Sequence, residues 1–392
     1  LLGAPHRLGF AVGGTSMSLL AAWWLAALTA SGLGLGVDWV VSPTLAHGLL
    51  FTLGFMPAFM AGFLFTAGPR WLALPGVDAR RLLAPLLQFA AGWLAVLAGV
   101  HASQVLAAFG LAMAAAAWLR LCLRFAALLR ASRAADRLHA RWLLAACAIG
   151  VVAMLLACHA VLRGDGPQLR AAVQLGLWAF VAPVFVVVSH RMFPQLAASA
   201  PPPVDTWSSG AQLASLLGCL ALAGVAQARW LPPWMLAAPL TMAALALWRV
   251  SHRWGMLRRP AGEAGRLLVM LRGGFTWLAV ASGLQALSLA LQVAGREGLG
   301  AAPLHALTLG YLGCTLLAMA TRVVAARSGR TLAIDRTAWR LYRLLQLGVL
   351  LRLAAALGWG AAAMLWLAAA AWVGVTTVWA WRYVGWLGER RT

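Results

Sequence analysis

The chain has 392 residues, 63% hydrophobic and 10% charged, with a mean hydropathy of +0.84. That excludes a water-soluble globular domain, in which about half the residues are apolar and about a quarter charged. The net charge of +22 comes from arginine alone, since no lysine occurs, and in so apolar a chain it points to loops flanking membrane spans rather than to a nucleic-acid surface.

Apolar runs long enough to cross a bilayer recur throughout and predict twelve helices, at 9–33, 44–67, 82–101, 104–126, 142–162, 171–190, 208–228, 231–250, 273–294, 302–325, 341–359 and 361–383. The expected fold class is all-α: a polytopic membrane helical bundle of about 12 transmembrane helices, one integral membrane domain over residues 1–392. The first stretch is too long and bulky for a cleaved signal peptide and is followed by further spans. The loops test the count. Arg70, Arg80 and Arg81, then Arg130, Arg133, Arg137 and Arg141, then Arg253, Arg258, Arg259 and Arg266, then Arg327, Arg330, Arg336 and Arg340 fall in the second, fourth, eighth and tenth connections. Most intervening loops are nearly neutral. The sixth connection, around Pro201 to Pro203 and Asp205, is almost uncharged and breaks the pattern. Arg7, Arg390 and Arg391 join the basic set, so both termini are expected on the cytoplasmic side.

The five cysteines, Cys122, Cys147, Cys158, Cys219 and Cys314, fall mostly within spans and without C-x-x-C spacing, which argues against a disulfide framework, a redox dithiol or covalently attached haem. Tryptophans such as Trp23, Trp71, Trp142, Trp230, Trp234 and Trp386 lie near span ends and read as interfacial anchors.

Ionisable residues within spans carry the chemistry. His47 lies four residues after Pro43 at the start of the second span, and His305 two residues after Pro303 at the start of the tenth. Both spans run inward, so the two histidines sit at equal depth to within about 5 Å. That is what the two axial ligands of one haem require, and a bis-histidine haem transfers electrons because it leaves no open position. The alternative, that each histidine hydrogen-bonds across helices or sits at the interface, stays open. His101 and His159 lie near the outer surface and read first as interfacial; Cys158 beside His159, with Met154 a turn earlier, is a weak copper candidate because adjacent helical residues diverge. His190 ends the sixth span at the opposite face. His6, His139 and His252 are expected to be solvated in basic regions. Arg352 lies about ten residues into the eleventh span and needs an anionic partner, for which a haem propionate is attractive; bonding to backbone carbonyls is the alternative. Arg120 and Arg322 read as snorkelling toward headgroups. No intramembrane carboxylate chain, nucleotide-binding glycine motif or H-E-x-x-H occurs, which argues against a pump or a protease.

Three segments then carry a family resemblance. HGLLFTLGFMPAFMAGFLFTAGPRW from His47, PVFVVVSHRMFP from Pro183 to Pro194, and PLHALTLGYLGCTLLAMATRVVAARSGRTL from Pro303 to Leu332 resemble, in order, conserved blocks of the NnrS family, membrane haem and copper proteins linked to nitric oxide metabolism. His47 takes the place of the first histidine of that family's HAHEM block, whereas Leu49 and Leu50 replace its second histidine and glutamate. Arg327 and Arg272 stand where further histidines are usual. The chain is also distantly similar to the haem-copper oxidase catalytic subunit, in which second- and tenth-helix histidines ligate the low-spin haem and eleventh-helix arginines hold its propionates. The resemblances imply a membrane protein of the bacterial inner membrane with haem b at His47 and His305, Arg352 on a propionate, copper as a further cofactor, and a redox partner or quinol. Its role would lie in the nitric oxide or nitrosative stress response or in membrane electron transfer. Two other readings remain: a cofactor-free transporter or channel lined by Gln88, Gln174 and Gln285, or a family member that serves as an assembly partner.

Overall fold

The computed structural model describes residues 1–196, 210–255, 263–327 and 334–388, and the described residues are helical and turn structure without strands. Helices α1 to α5 run Pro5–Gly32, Pro43–Trp71, Arg80–Ala102, Gln104–Ala131 and Leu138–Arg163. The sixth helix, α6, covers Gly166–Met192 and continues to Leu196; α7, α8 and α9 are Gly210–Ala228, Pro233–Gly255 and Glu263–Val293. Last come α10, which begins at Ala302 and ends at Arg327, then α11, Arg336–Ala356, and α12, Ala361–Leu387. Eleven of these are long and apolar enough to cross a membrane. Among the twelve, α11 fails that test because Arg336, Arg340, Arg343 and Arg352 dilute its apolar stretch. The sixth connection around Pro201 and Asp205 lies outside the described residues, as do Arg258, Arg259 and Arg330.

Local sequence sets the helix ends. Pro43 opens α2, where its missing N–H costs nothing. Asp165 and Asp335 cap α6 and α11 by accepting from the amides of Gln168 at 2.9 Å and Ala338 at 2.8 Å. Gly164, at φ +65°, closes α5 in the left-handed conformation a side chain would resist. Three helices contain a π-helical segment early in their course: Leu50–Gly54 in α2, Gly176–Val181 in α6 and Ala306–Gly313 in α10. In α2 and α10, 78% of the apolar stretch is buried, against 28% in α7, α8 and α12, so α2 and α10 are the interior helices of their respective surroundings.

The chain forms two compact units. Among the described residues, the first comprises 1–187 with 380–388 and the second those of 188–379. In the first, small residues let helices meet backbone to backbone, as expected where apolar side chains gain nothing by leaving lipid. Gly9 of α1 meets Gly62 of α2, and Gly92 and Gly99 of α3 meet Gly110 and Ala107 of α4. Trp118, almost fully buried, donates to the Cys147 carbonyl at 2.9 Å and packs on Phe180. In the second unit the buried Tyr311 hydroxyl lies 3.2 Å from Ser189 Oγ, and Trp379 donates to Thr321 Oγ1 at 2.9 Å. Gln346 of α11 links α9 and α10, accepting from Trp277 at 2.8 Å and reaching Cys314 Sγ at 2.9 Å.

Candidate functional site

His305 closes the first turn of α10, and the next residue begins the π segment. Its Nδ1 lies 3.0 Å from the Ala301 carbonyl oxygen. A carbonyl only accepts, so Nδ1 carries the hydrogen and Nε2 keeps its lone pair, the tautomer of a metal-ligating histidine with its second nitrogen anchored. The same first turn packs on α11, and Arg352 stands close enough for its charge to act on the His305 imidazole. The structure thus brings together two residues that the sequence singled out separately. Helix α11 ends at Ala356, with Gly358 and Gly360 in left-handed conformations just beyond, so Arg352 occupies the last turn, where the negative end of the helix dipole favours a cation. Among the described residues it has no hydrogen-bonded or ion-paired protein partner.

His47, in the first unit, lies one turn into α2 and three residues before its π segment. Half-buried, its ring stacks on Trp24 at 4.2 Å between centroids and 24° between planes, and lies 4.3 Å from Phe51. Sequence reasoning missed this aromatic clasp. Trp24 reaches His47 through the packing of α1 on α2, which shows in the sequence only as the small residues Gly9, Gly13 and Gly62. His47 and His305 belong to different units, and each is described within its own.

The weaker candidates separate. His101 has both ring nitrogens engaged: Nδ1 donates to the Asp38 carbonyl at 2.9 Å, and Nε2 accepts from the Trp23 indole at 2.8 Å. Trp23, expected only to anchor at the interface, therefore helps this histidine tie the first connection to the end of α3. His159 is exposed with Nδ1 2.8 Å from Gln168 Oε1, whereas Cys158 donates to the Ala108 carbonyl at 3.3 Å and Met154 is fully buried. These three do not converge, and among the described residues no three His, Cys, Asp or Glu side chains do. His190 is buried, 1% exposed, within α6. His6 and His139, expected to be solvated, are instead buried because α1 and α5 begin earlier than the apolar stretches suggest; the His6 amide donates to Thr66 Oγ1 at 3.0 Å. His252 is exposed.

The transporter reading needs its glutamines free to line a path. Gln88 accepts from Arg120 at 2.8 Å and donates to the Met113 carbonyl at 3.2 Å, and Gln174 accepts from Trp178 at 2.7 Å, so two of the three serve structure. Gln285 is buried in α9.

No curated protein matches the chain. The family model described as NnrS protein matches residues 1–391, so the three resembling segments are parts of one continuous match, and the chain belongs to the NnrS family of multi-pass membrane proteins.

Proposed function

We propose that this protein is a b-type haem membrane protein of nitric oxide metabolism or membrane electron transfer, in which His305 and His47 would hold the iron and Arg352 would neutralise a propionate. One observation carries the reading: the Nδ1–H of His305 is committed to a backbone carbonyl, which leaves the Nε2 lone pair for a ligand, on a turn packed against α11, whose Arg352 has no carboxylate partner among the described residues. The aromatic clasp of Trp24 and Phe51 supports His47 by restricting its ring. Haem, when bound, supplies a one-electron iron centre. The chain's own residues hold ring orientation, exclude water through the surrounding aromatics and offer a cation to a carboxylate. A quinol or protein redox partner on the arginine-poor side would deliver or take the electron. Copper has weaker support, because its candidate donors point apart.

The test is the absorption spectrum of the purified protein with metal analysis. A reducible bis-histidine haem spectrum is expected, abolished by His305→Ala. A colourless preparation from cells supplied with haem overturns the proposal, and a high-spin spectrum overturns the role of the second histidine.

A further inference from the structure

The arginine-rich ends of α3 and α4 hold cations that the protein does not balance. Arg120 lies within the membrane span of α4, exposed, and its Nη1 donates to the neutral Gln88 of α3 at 2.8 Å. One turn on, Arg124 has a buried Nη1 without a hydrogen-bond partner among the described residues. The pairing of α3 with α4 is antiparallel: a Cβ on Gly92 would stand 2.7 Å from the Gly110 oxygen and 2.9 Å from the Ala114 amide nitrogen, and one on Gly99 would stand 2.6 Å from the Ala107 Cα. Carried toward the arginine-rich end, that register sets Arg81 of α3 level with Arg124. Neither Arg81 nor Arg124 has a carboxylate partner among the described residues. The nearby acids are used locally, Asp78 capping the Arg80 amide at 2.9 Å and Asp136 the Leu138 amide at 3.0 Å.

A guanidinium held in a span beside only a neutral amide is costly unless an anion compensates it. The two helices also expose Leu87, Leu119 and Leu123, at 53%, 44% and 56%, within two turns of these arginines along the chain. An anion with acyl chains matches both features, since chains would lie on the leucines while a phosphate met the cations; basic pockets between helices on the arginine-rich side of a membrane bind anionic headgroups in this way. We infer that Arg81, Arg120 and Arg124, on the α3–α4 hairpin, form a seat for the phosphate of an anionic phospholipid.

The experiment measures phospholipid retained by the purified full chain after detergent washing, quantified by mass spectrometry. Wild type is expected to keep phosphatidylglycerol or cardiolipin in preference to phosphatidylethanolamine. Arg124→Gln, and separately Arg81→Gln with Arg120→Gln, should lower that retention by about fivefold per arginine. Arg249→Gln, which alters an exposed arginine of α8, should leave it unchanged. Retention unaltered in a monodisperse Arg124→Gln protein overturns the inference. Displacement of the lipid by excess inorganic phosphate also overturns it, in favour of a free-phosphate site. Should the variants fail to fold, wild type alone decides: its unfolding temperature must be higher in nanodiscs of phosphatidylglycerol than in nanodiscs of phosphatidylcholine, and equal temperatures refute the seat.

Discussion

Replacing Gly9 by alanine puts one carbon into the contact between α1 and α2. That carbon would stand 2.6 Å from both the Cα and the amide nitrogen of Gly62, and 2.7 Å from the Ala58 oxygen. These are backbone atoms, so no rotamer change relieves the clash, and the helices must part by about 1 Å to regain ordinary carbon contact. Parting them also loosens the Phe10–Phe59 ring contact and the bond from the His6 amide to Thr66. Overpacking of this kind costs about 1–3 kcal/mol, and the better helix propensity of alanine returns at most about 1 kcal/mol. A net loss of about 1–2 kcal/mol lowers the unfolding temperature by roughly 2–8 °C for a unit of this size. With 21 tryptophans in the chain, intrinsic fluorescence in detergent reports the transition directly. Gly32→Ala is the control, because nothing lies within 4 Å of its added carbon in the same helix. If Gly9→Ala melts with both wild type and Gly32→Ala, backbone contact is not what holds α1 on α2.

His101→Ala removes the bonds to Asp38 and Trp23; faster hydrogen exchange is expected over residues 33–42, corresponding to a local loss of about 1–3 kcal/mol, with the haem spectrum unaltered, and a lost spectrum would return His101 to the ligand set. On the proposed haem site, Arg352→Gln would withdraw a positive charge that favours reduced, less positive iron, so a redox titration should show a midpoint potential lower by roughly 40 mV, about 1 kcal/mol of interaction in a wet site; an unchanged potential places the guanidinium away from the site. Tyr311→Phe deprives the buried Ser189 of its neighbour at 3.2 Å, and a stability loss of about 1 kcal/mol is expected by thermal unfolding; a neutral result shows that this pair is not a net contributor.

What the sequence reveals and what it conceals divide along physical lines. Hydropathy locates a membrane helix because lipid rewards apolar length, so eleven of the twelve expected spans recur as apolar helices, and the exception, α11, is the one loaded with arginine. Helix starts are less legible. The amphipathic first turns of α5 and α9 extend beyond the apolar stretch, which is how His139 comes to be buried when its neighbours suggest solvent. The approach of Arg352 to His305 was half-visible, since each residue stood out alone while their proximity depends on where α11 ends. The Trp24 clasp on His47 and the double engagement of His101 were hidden, because they depend on which face of α1 meets which neighbour. An arrangement of glycines hints at that face without specifying the side chains it delivers.

The π segments connect these observations. In α2, α6 and α10 a proline in the first turn, at Pro43, Pro167 and Pro303, precedes a π segment beginning at Leu50, Gly176 and Ala306. A π turn widens the helix and takes a carbonyl out of the regular ladder, so it persists only where its surroundings support it, often at functional sites. That support is present. In the first unit Gly176 lies against Leu53, joining the π segments of α2 and α6, and in the second Gly310 lies against the Trp277 ring. Two of the three segments follow a histidine, His47 three residues ahead and His305 immediately ahead; in the third, Val173 stands three residues ahead and packs on Gly48 of α2. The valine-bearing helix therefore buttresses the one that carries His47. A metal ligand must be held within a fraction of an ångström, which regular helices achieve only if their neighbours lock the side chain. The widened turns and the small residues packed against them therefore fix the course of the helix that carries each histidine, within that histidine's own unit.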